Sequence, residues 1–223
     1  MSARNALLVG NGEPPSRQLF EFLMRERPLL LCADGGADIV LEYGFTPDYI
    51  VGDLDSVSAG GLGQMAMDRL IKMDADDTGT DLQKVLRHAV DLGVGAAVLV
   101  GFTGRRTDHT LWNLALLKSF AHRMDLCMVD DHCDIRLIDA SVAFSAPIGL
   151  KLSFCPLGGP AHRIQTAGLR FPLNEESLIP GERDGISNEV VEDPVTVTVG
   201  GGDLLLVIQR EEGIDPGVRF HSG

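Results

Sequence analysis

The first 140 or so residues alternate between short apolar runs and apolar residues at helical spacing, and this alternation limits the possible folds more than any other feature. Apolar runs predict strands at residues 6–9, 29–33, 50–51, 96–100, 126–129 and 135–138. Ser16 is a predicted N-cap for one helix, and the spacing of Leu82, Val85, Leu86 and Ala89 predicts another. Strands and helices that alternate in this way indicate a largely parallel sheet with helices on both faces.

The chain after residue 140 has a different pattern, without helical periodicity. Apolar runs at residues 150–154, 195–199 and 204–208 predict strands, and the run at 195–199 reads VTVTV, which alternates at period two. A length of 223 residues is enough for two small domains. We therefore predict an α/β domain over residues 1–140, with a mostly parallel sheet, and a smaller all-β domain over residues 141–223.

Charge and cysteine usage exclude several classes of protein. The formal net charge of −13 argues against a general nucleic-acid binder or a protein that binds anionic membranes, because phosphates repel such a surface. The longest apolar stretch, around residues 94–102, is too short to span a bilayer as a helix. The four cysteines form no CxxC pair, which favours free thiols in a reducing compartment. We expect a cytoplasmic protein with no nucleic-acid or membrane partner.

Three acidic segments follow predicted strands or precede a predicted helix: residues 33–38 (ADGGAD), 52–56 (GDLDS) and 76–81 (DDTGTD). In an open α/β sheet, ligands bind outside the carboxyl ends of the strands, so loops that are distant in sequence converge there. Magnesium binds one or two carboxylates together with substrate phosphates. The candidate ligands are Asp34, Asp53, Asp55 and Asp81. Aspartate and glycine also favour loops and helix starts because of their backbone preferences, without any ligand. The argument for a metal site is that all three segments are predicted at the same edge of the sheet.

A fourth segment, residues 101–114 (GFTGRRTDHTLWNL), is a glycine-rich loop that leads into a predicted helix. Backbone N–H groups at a helix start attract anions, and Arg105 or Arg106 can bind phosphate through a planar guanidinium. His109 and Asn113 are four residues apart, so they share one face of the helix. The alternative is a tight turn with a capping Asp108 and two solvated arginines.

Several common nucleotide and hydrolase motifs are absent from the sequence. No lysine follows a glycine, which excludes a Walker A loop. Residues 10–12 (GNG) are followed by Glu-Pro-Pro, which does not match a dinucleotide fingerprint. No GxSxG elbow is present.

Taken together and in order, these segments resemble the thiamine pyrophosphokinase family. The resemblance rests on residues 33–38, on residues 52–56, on Thr80 and Asp81 with Lys84 after them, and on residues 104–114. Residues 166–178 and 186–189 resemble the β-rich half of the family, so the likeness covers nearly the whole chain. There are two departures: Arg105 stands where the family usually has a glycine, and Gly79 interrupts the usual run before Thr80.

The resemblance implies that the α/β domain is Rossmann-like and that the all-β domain is a sandwich. It also implies a homodimer whose substrate site forms where the subunits meet. It also implies transfer of the terminal diphosphate of ATP to the hydroxyl of thiamine, giving AMP, with Mg²⁺ as cofactor. By the same carry-over, the magnesium ligands and catalytic residues are Asp53, Asp55 and Asp81. The ATP-binding residues are Asp34, Gly35, Gly36, Thr80, Arg106, Asp108, His109 and Asn113. The thiamine-binding residues are Ser187 and Asn188.

Three alternatives stay open at this point. A pterin diphosphokinase on a similar scaffold would use the same chemistry with a different alcohol. A haloacid-dehalogenase-like phosphatase would use Asp53 as a nucleophile, although that leaves residues 34–36 and 103–109 unexplained. A non-catalytic protein that binds a nucleotide or thiamine would need no catalytic base, and the residues do not single out one aspartate for that role.

Overall fold

The structure is a computed structural model that describes residues 4–54, 66–73, 79–138, 140–210 and 215–221. The chain divides into two compact units, Met1–Asp130 and Asp131–Gly223. Among the described residues, no helix has both the length and the apolar character needed to cross a bilayer.

The first unit contains alternating strands and helices, as its apolar pattern predicts. In chain order these are β1 (Arg4–Val9), α1 (Arg17–Leu23), β2 (Leu29–Ala33), α2 (Gly36–Glu42), β3 (Tyr49–Gly52), β4 (Leu70–Lys72), α3 (Asp81–Asp91), β5 (Val94–Val100), α4 (Thr107–Phe120) and β6 (Asp125–Val129). Two single-turn 3₁₀ helices, Met24–Glu26 and Met67–Arg69, precede β2 and β4.

The strands of this unit form a parallel sheet in the order β6-β5-β1-β2-β3-β4. Val9 at the end of β1 is in register with Cys32 of β2 on one side and Val100 of β5 on the other. From β1 the chain builds the sheet outward through β2 to β4, and then returns to add β5 and β6 on the opposite side. The point between β1 and β5 is therefore a topological switch point, where the loops after the two strands diverge and leave a crevice.

Burial explains why these segments fold as they do. The last four residues of β1 are all buried, as expected for a central parallel strand covered on both faces. On α3 the buried residues Leu82, Val85, Leu86 and Ala89 form one face, which contacts β2, β3 and β5. Each fully buried leucine or valine side chain contributes about 1.5–3 kcal/mol. Helix α3 is capped by Thr80 and is followed by Gly93 at φ 74, which suits a helix end.

The second unit is all β in its described part. Its strands are β7 (Cys133–Ile138), β8 (Ser141–Ser145), β9 (Lys151–Pro156), β10 (Ala161–Ala167), β11 (Asn174–Leu178), β12 (Gly185–Glu189), β13 (Val195–Thr198), β14 (Leu204–Gln209) and β15 (Arg219–Phe220). Antiparallel pairing gives the orders β12-β9-β14-β7 and β11-β10-β13-β8-β15. Phe144 of β8 and Phe154 of β9, which belong to different sets of paired strands, lie in the same apolar core. Val195 and Val197 are buried while Thr196 and Thr198 are exposed, so the alternation in the sequence is real.

The mixed α/β architecture with a separate all-β region is confirmed. The sequence did not indicate α2, β4, or the strands β8, β10, β11, β12 and β15. The division between units also falls at Asp130, earlier than the predicted boundary after residue 140. The reason is that β7 pairs antiparallel with β14, for example Ile135 with Val207, and so belongs to the second unit.

Candidate functional site

Two glycine-rich loops are bound to each other at the switch point of the parallel sheet. The backbone N–H of Gly12 donates to the carbonyl of Gly101 at 2.6 Å, and that of Glu13 donates to the carbonyl of Thr103 at 2.8 Å. A Cβ added to Gly12 would lie only 2.5 Å from the Thr103 oxygen, so the approach requires a residue without a side chain. The loops after β1 and β5 thus form one continuous backbone surface.

A cleft of about 230 Å³ lies beside these loops. Its walls come from the loop after β1, the start of α3, and the loop after β5 with the first turns of α4. The lining residues are Asn11, Gly12, Thr80, Asp81, Leu82, Gly101, Phe102, Thr103, Gly104, Arg105, Arg106, His109 and Asn113. Five of the predicted nucleotide and metal residues, Thr80, Asp81, Arg106, His109 and Asn113, therefore meet in one cleft.

A second cleft of about 210 Å³ adjoins the first. The two share Asn11, Gly12 and Arg105, and the second adds residues from one face of α2 and from the glycine before it. Its lining is Gly10, Asn11, Gly12, Pro14, Gly35, Asp38, Ile39, Glu42 and Arg105. Gly35 is the member of the predicted ATP-binding set that contributes to this cleft.

Asp34, Gly36 and Asp53 lie at the same carboxyl edge but line neither cleft. Asp34 follows β2, is buried, and donates its backbone N–H to the Val51 carbonyl at 3.0 Å. A Cβ added to Gly52 would be 3.1 Å from the Asp34 Cβ, so the ends of β2 and β3 are in close contact. Asp53 follows Gly52 directly and is half-buried, which places the two aspartates on neighbouring strand ends.

The start of α3 presents Asp81 at the wall of the first cleft. Thr80 caps the helix by accepting the backbone N–H of Gln83 at 3.4 Å. The Lys84 ammonium lies 3.7 Å from Asp81 Oδ1, and its side chain is only 6% exposed. A buried ammonium is costly unless it is paired, so Lys84 and Asp81 constrain each other. In the sequence, Lys84 is recognisable only as part of a motif, because residue spacing does not show that its side chain is buried and paired with Asp81.

The start of α4 carries an ion pair between Arg106 and Asp108. Arg106 donates through Nε to Asp108 Oδ1 at 3.2 Å and through Nη2 to Oδ2 at 2.5 Å. These hydrogen bonds lower the pKa of Asp108 to about 2. Asp108 is exposed and is not part of the cleft lining, so its contact with the site runs through Arg106.

Asn113 provides a buried acceptor at the first cleft. Its Nδ2 donates to the Phe102 carbonyl at 2.9 Å, which identifies the amide nitrogen. Its Oδ1 is buried and has no hydrogen-bond partner among the described residues. Because buried polar atoms are nearly always paired, this oxygen is available to a donor on a bound ligand.

The carboxylates at this edge fit a magnesium ion that is bound together with a nucleotide. Asp55 lies outside the described residues, and the described residues contain no group of three or more His, Cys, Asp or Glu that could hold a metal alone. Asp34 and Asp53 on neighbouring strand ends, with Asp81 at the cleft, supply a small number of hard oxygen donors. Magnesium usually takes one or two carboxylates and completes its coordination with phosphates and water.

Ser187 and Asn188 lie on β12 in the second unit. Asn188 is buried, and its side chain accepts from the Phe171 N–H at 3.0 Å and donates to the Phe171 carbonyl at 2.7 Å. Ser187 is exposed at φ 61, and its N–H donates to Ser153 Oγ at 3.0 Å. The Asn188 amide therefore holds the segment at Phe171 in place, while the Ser187 side chain remains accessible.

A glycine-lined crevice at the switch point of a parallel sheet, with arginines and two helix starts around it, is typical of nucleotide-binding α/β proteins. Comparison with known protein families agrees with this class and identifies the family. Residues 20–128 match the family model described as thiamin pyrophosphokinase, catalytic domain, and residues 145–203 match thiamin pyrophosphokinase, vitamin B1 binding domain. The chain belongs to the thiamine pyrophosphokinase family.

Individual relatives support the same assignment. Thiamine pyrophosphokinase 1 of Oryza sativa subsp. japonica is 28% identical over 240 residues, covering 93% of this chain and 88% of that protein. Thiamine pyrophosphokinase of Bacillus subtilis is 26% identical over 187 residues, covering 82% and 87%. The crystal structure of thiamin pyrophosphokinase from Geobacillus thermodenitrificans matches with a TM-score of 0.81 at 25% identity, over 95% of this chain and 100% of that one.

These comparisons confirm the predicted family and enzyme class. They favour that prediction over a pterin diphosphokinase and over a non-catalytic binding protein. The roles of the individual site residues stay predictions.

Proposed function

We propose that this chain transfers the terminal diphosphate of ATP to the hydroxyl of thiamine, with thiamine diphosphate and AMP as products. The observation that carries this proposal is the first cleft, where residues from α3, α4 and two glycine loops surround one space at the switch point. Phosphoryl-type transfer depends mainly on positioning and charge neutralisation, and this cleft offers both.

ATP binds at the carboxyl edge of the parallel sheet in this proposal. The N-termini of α3 and α4 both face the cleft and attract anionic oxygens. Arg106 and His109 contact the phosphates, Asn113 accepts a hydrogen bond from the nucleotide, and Asp34, Gly35 and Gly36 support it from the neighbouring strand end. Asp108 orients Arg106 through their two hydrogen bonds.

Asp53, Asp55 and Asp81 would hold Mg²⁺ against the phosphate oxygens. When bound, the ion would offset negative charge on the phosphates during transfer. Lys84 keeps the Asp81 carboxylate at the cleft wall through their 3.7 Å contact.

In the reaction, the thiamine hydroxyl oxygen forms a bond to the β-phosphorus of ATP. The bond between that phosphorus and the oxygen bridging to the α-phosphate breaks, so AMP leaves with the electron pair. The hydroxyl proton passes to one of the site carboxylates, which acts as a general base.

Thiamine binding is assigned to the second unit, where Ser187 and Asn188 lie. Residues 145–203 match the vitamin B1 binding domain, and thiamine is a cation suited to a chain with a net charge of −13. We also propose that the all-β unit is a sandwich and that helices cover both faces of the parallel sheet.

The chain is proposed to be a cytoplasmic homodimer with the substrate site where the subunits meet. Two large apolar side chains are exposed near Asn188: Phe171, whose backbone is hydrogen-bonded to Asn188, is 61% exposed, and Ile186, two residues before it, is 53% exposed. Exposed apolar side chains of this kind suit an interface. All four cysteines are free thiols, as a reducing compartment requires. Light scattering on the purified chain tests the dimer: a mass of one chain would contradict it.

Product analysis tests the function. The chain is incubated with Mg²⁺, ATP and thiamine, and in parallel with a pterin alcohol, and nucleotides and acceptor products are separated by chromatography. We expect equal amounts of AMP and thiamine diphosphate, with no product when thiamine or Mg²⁺ is omitted. Formation of ADP, or a preference for the pterin, would contradict the proposal.

An aspartate at the far end of α3 provides a matched control for the metal residues. Asp53→Ala and Asp81→Ala should each abolish turnover without unfolding the chain. Asp91→Ala, at the exposed opposite end of α3, should keep wild-type turnover. Near-normal turnover in both site variants would show that the metal assignment is wrong.

A further inference from the structure

Arg105 lies where the two clefts join, and it lines both of them. We propose that Arg105 is a further nucleotide-binding residue, which contacts the polyphosphate chain from the junction of the clefts. The inference rests on the proposed function and adds a specific residue to it.

The backbone at Arg105 favours glycine rather than arginine. Its φ is 47°, and the preceding Gly104 is also left-handed at 72°. A residue with a Cβ is disfavoured in this conformation, whereas glycine adopts it readily. The conformation therefore gives no local reason for an arginine at this place, and the side chain must be explained by what the guanidinium contacts.

The guanidinium is held in place but keeps most of its donors. Arg105 Nη1 donates to the Asn11 carbonyl at 3.2 Å and to Asn11 Oδ1 at 3.4 Å. Within the part of the chain that the structure describes, no carboxylate pairs with it. Arginine has five N–H donors in a planar fork, so the remaining ones are available for an anionic oxygen. Arg106 differs, because Asp108 already occupies one edge of its guanidinium and only the other edge is left for phosphate.

The charges of the two clefts indicate which part of the nucleotide Arg105 contacts. The second cleft is lined by Asp38 and Glu42, whose carboxylates repel phosphate. The first cleft has Arg106 and the starts of two helices, which attract it, and the charge of its one lining carboxylate, Asp81, is offset by Lys84. A polyphosphate chain therefore lies in the first cleft, and its anionic oxygens pass Arg105 at the rim.

Arg27 provides a matched control for removing the side chain. It is exposed, has a φ of 51°, ends the short helix Met24–Glu26, and lines neither cleft. Replacing either arginine with glycine removes the same charge and relieves the same backbone strain. The two variants differ in whether the arginine lies at the site and in the loss of the hydrogen bonds from Arg105 to Asn11, which the melting temperature reports.

Calorimetric titration with Mg²⁺ and α,β-methylene ATP, without thiamine, tests the inference on the full chain. We expect Arg105→Gly to weaken binding by about tenfold or more, the usual size of a charged hydrogen bond to phosphate. Arg27→Gly should bind as the wild type does, and both variants should melt at or above the wild-type temperature. The affinity of Arg105→Lys should lie between those of the wild type and Arg105→Gly, because an ammonium keeps the charge but not the planar set of donors.

Two results would overturn the inference. The first is wild-type affinity in Arg105→Gly. The second is a clear fall in the melting temperature of Arg105→Gly but not of Arg27→Gly, since the arginine would then act by tethering the loops through Asn11. If the wild-type chain makes AMP and thiamine diphosphate in either case, the proposed function stands. If the wild type binds no analogue and makes no AMP, the proposed function fails with it.

Discussion

Replacement of Gly36 by alanine is the sharpest single test of the site geometry. Gly36 is the first residue of α2 and is buried against the end of β1. A Cβ at this position would lie 2.4 Å from the Val9 carbonyl oxygen and 2.9 Å from the Gly10 carbonyl carbon. Both neighbours are backbone atoms, so neither can rotate away.

The magnitude follows from the size of this overlap. Cβ atoms essentially never come within 3.0 Å of such atoms, so α2 and the end of β1 must separate by about 0.6 Å or more. Overpacking of this kind costs about 1–3 kcal/mol, and the better helix propensity of alanine offsets up to about 1 kcal/mol. We expect a net loss of about 1–2 kcal/mol in the free energy of unfolding. For a chain of this size that lowers the melting temperature by roughly 2–8 °C.

Thermal unfolding and nucleotide titration measure the two consequences. Because Gly35 and Gly10 line the second cleft, the same displacement should weaken binding of an ATP analogue. Gly159→Ala is the control, since nothing lies within 4 Å of its added Cβ and its φ is not left-handed. The control should stay within about 0.5 kcal/mol of the wild type. If Gly36→Ala matches the control in stability and binding, the close approach of α2 to β1 does not define the site.

Three other changes have expected outcomes. Lys84→Met should leave the free energy of unfolding unchanged or raised, because the remaining Asp81 carboxylate is half-exposed and tolerates the loss of its partner. It should still lower kcat about tenfold, and an unchanged kcat would show that Lys84 is only structural. Asn113→Ala should cost about 1–3 kcal/mol in urea unfolding, because the Phe102 carbonyl loses its buried donor, and should also weaken nucleotide binding. Burial lowers the pKa of His88 below its ordinary value of 6.5, so the stability present above pH 6.5 is lost as the pH falls below it. His88→Leu should flatten the dependence of unfolding on pH over that range, and an unaltered pH dependence would contradict this.

Much of the α/β unit was predictable because its signals are local. A buried parallel strand is apolar on both faces, so residues 6–9 and 96–100 stand out in the sequence. Helix α3 shows clear helical spacing of apolar residues and a capping threonine. Helix α2 has only seven residues and begins with glycine, so neither spacing nor capping marks it. The pairing of β7 with β14 depends on residues about seventy positions apart, which no local pattern contains.

The candidate site was predictable in part for the same reason. The residue types at Asp81, His109 and Asn113 indicated ligand chemistry, and the rule for parallel sheets placed acidic loops at one edge. Thr80 was expected only from the family resemblance. The wall formed by residues 10–12 was not predicted, because the segment carries no dinucleotide fingerprint and no charged side chain that would indicate a site. Its contribution is backbone hydrogen bonding to the loop after β5, which does not depend on side-chain chemistry.

A crystal structure of the chain with Mg²⁺ and a non-hydrolysable ATP analogue would show where the nucleotide and the ion bind. We expect the phosphates to lie in the cleft between residues 10–13 and 101–106, with the ion bound by carboxylates from Asp53, Asp55 or Asp81. A nucleotide bound away from the carboxyl edge of the parallel sheet, with no contact to these loops, would contradict this expectation.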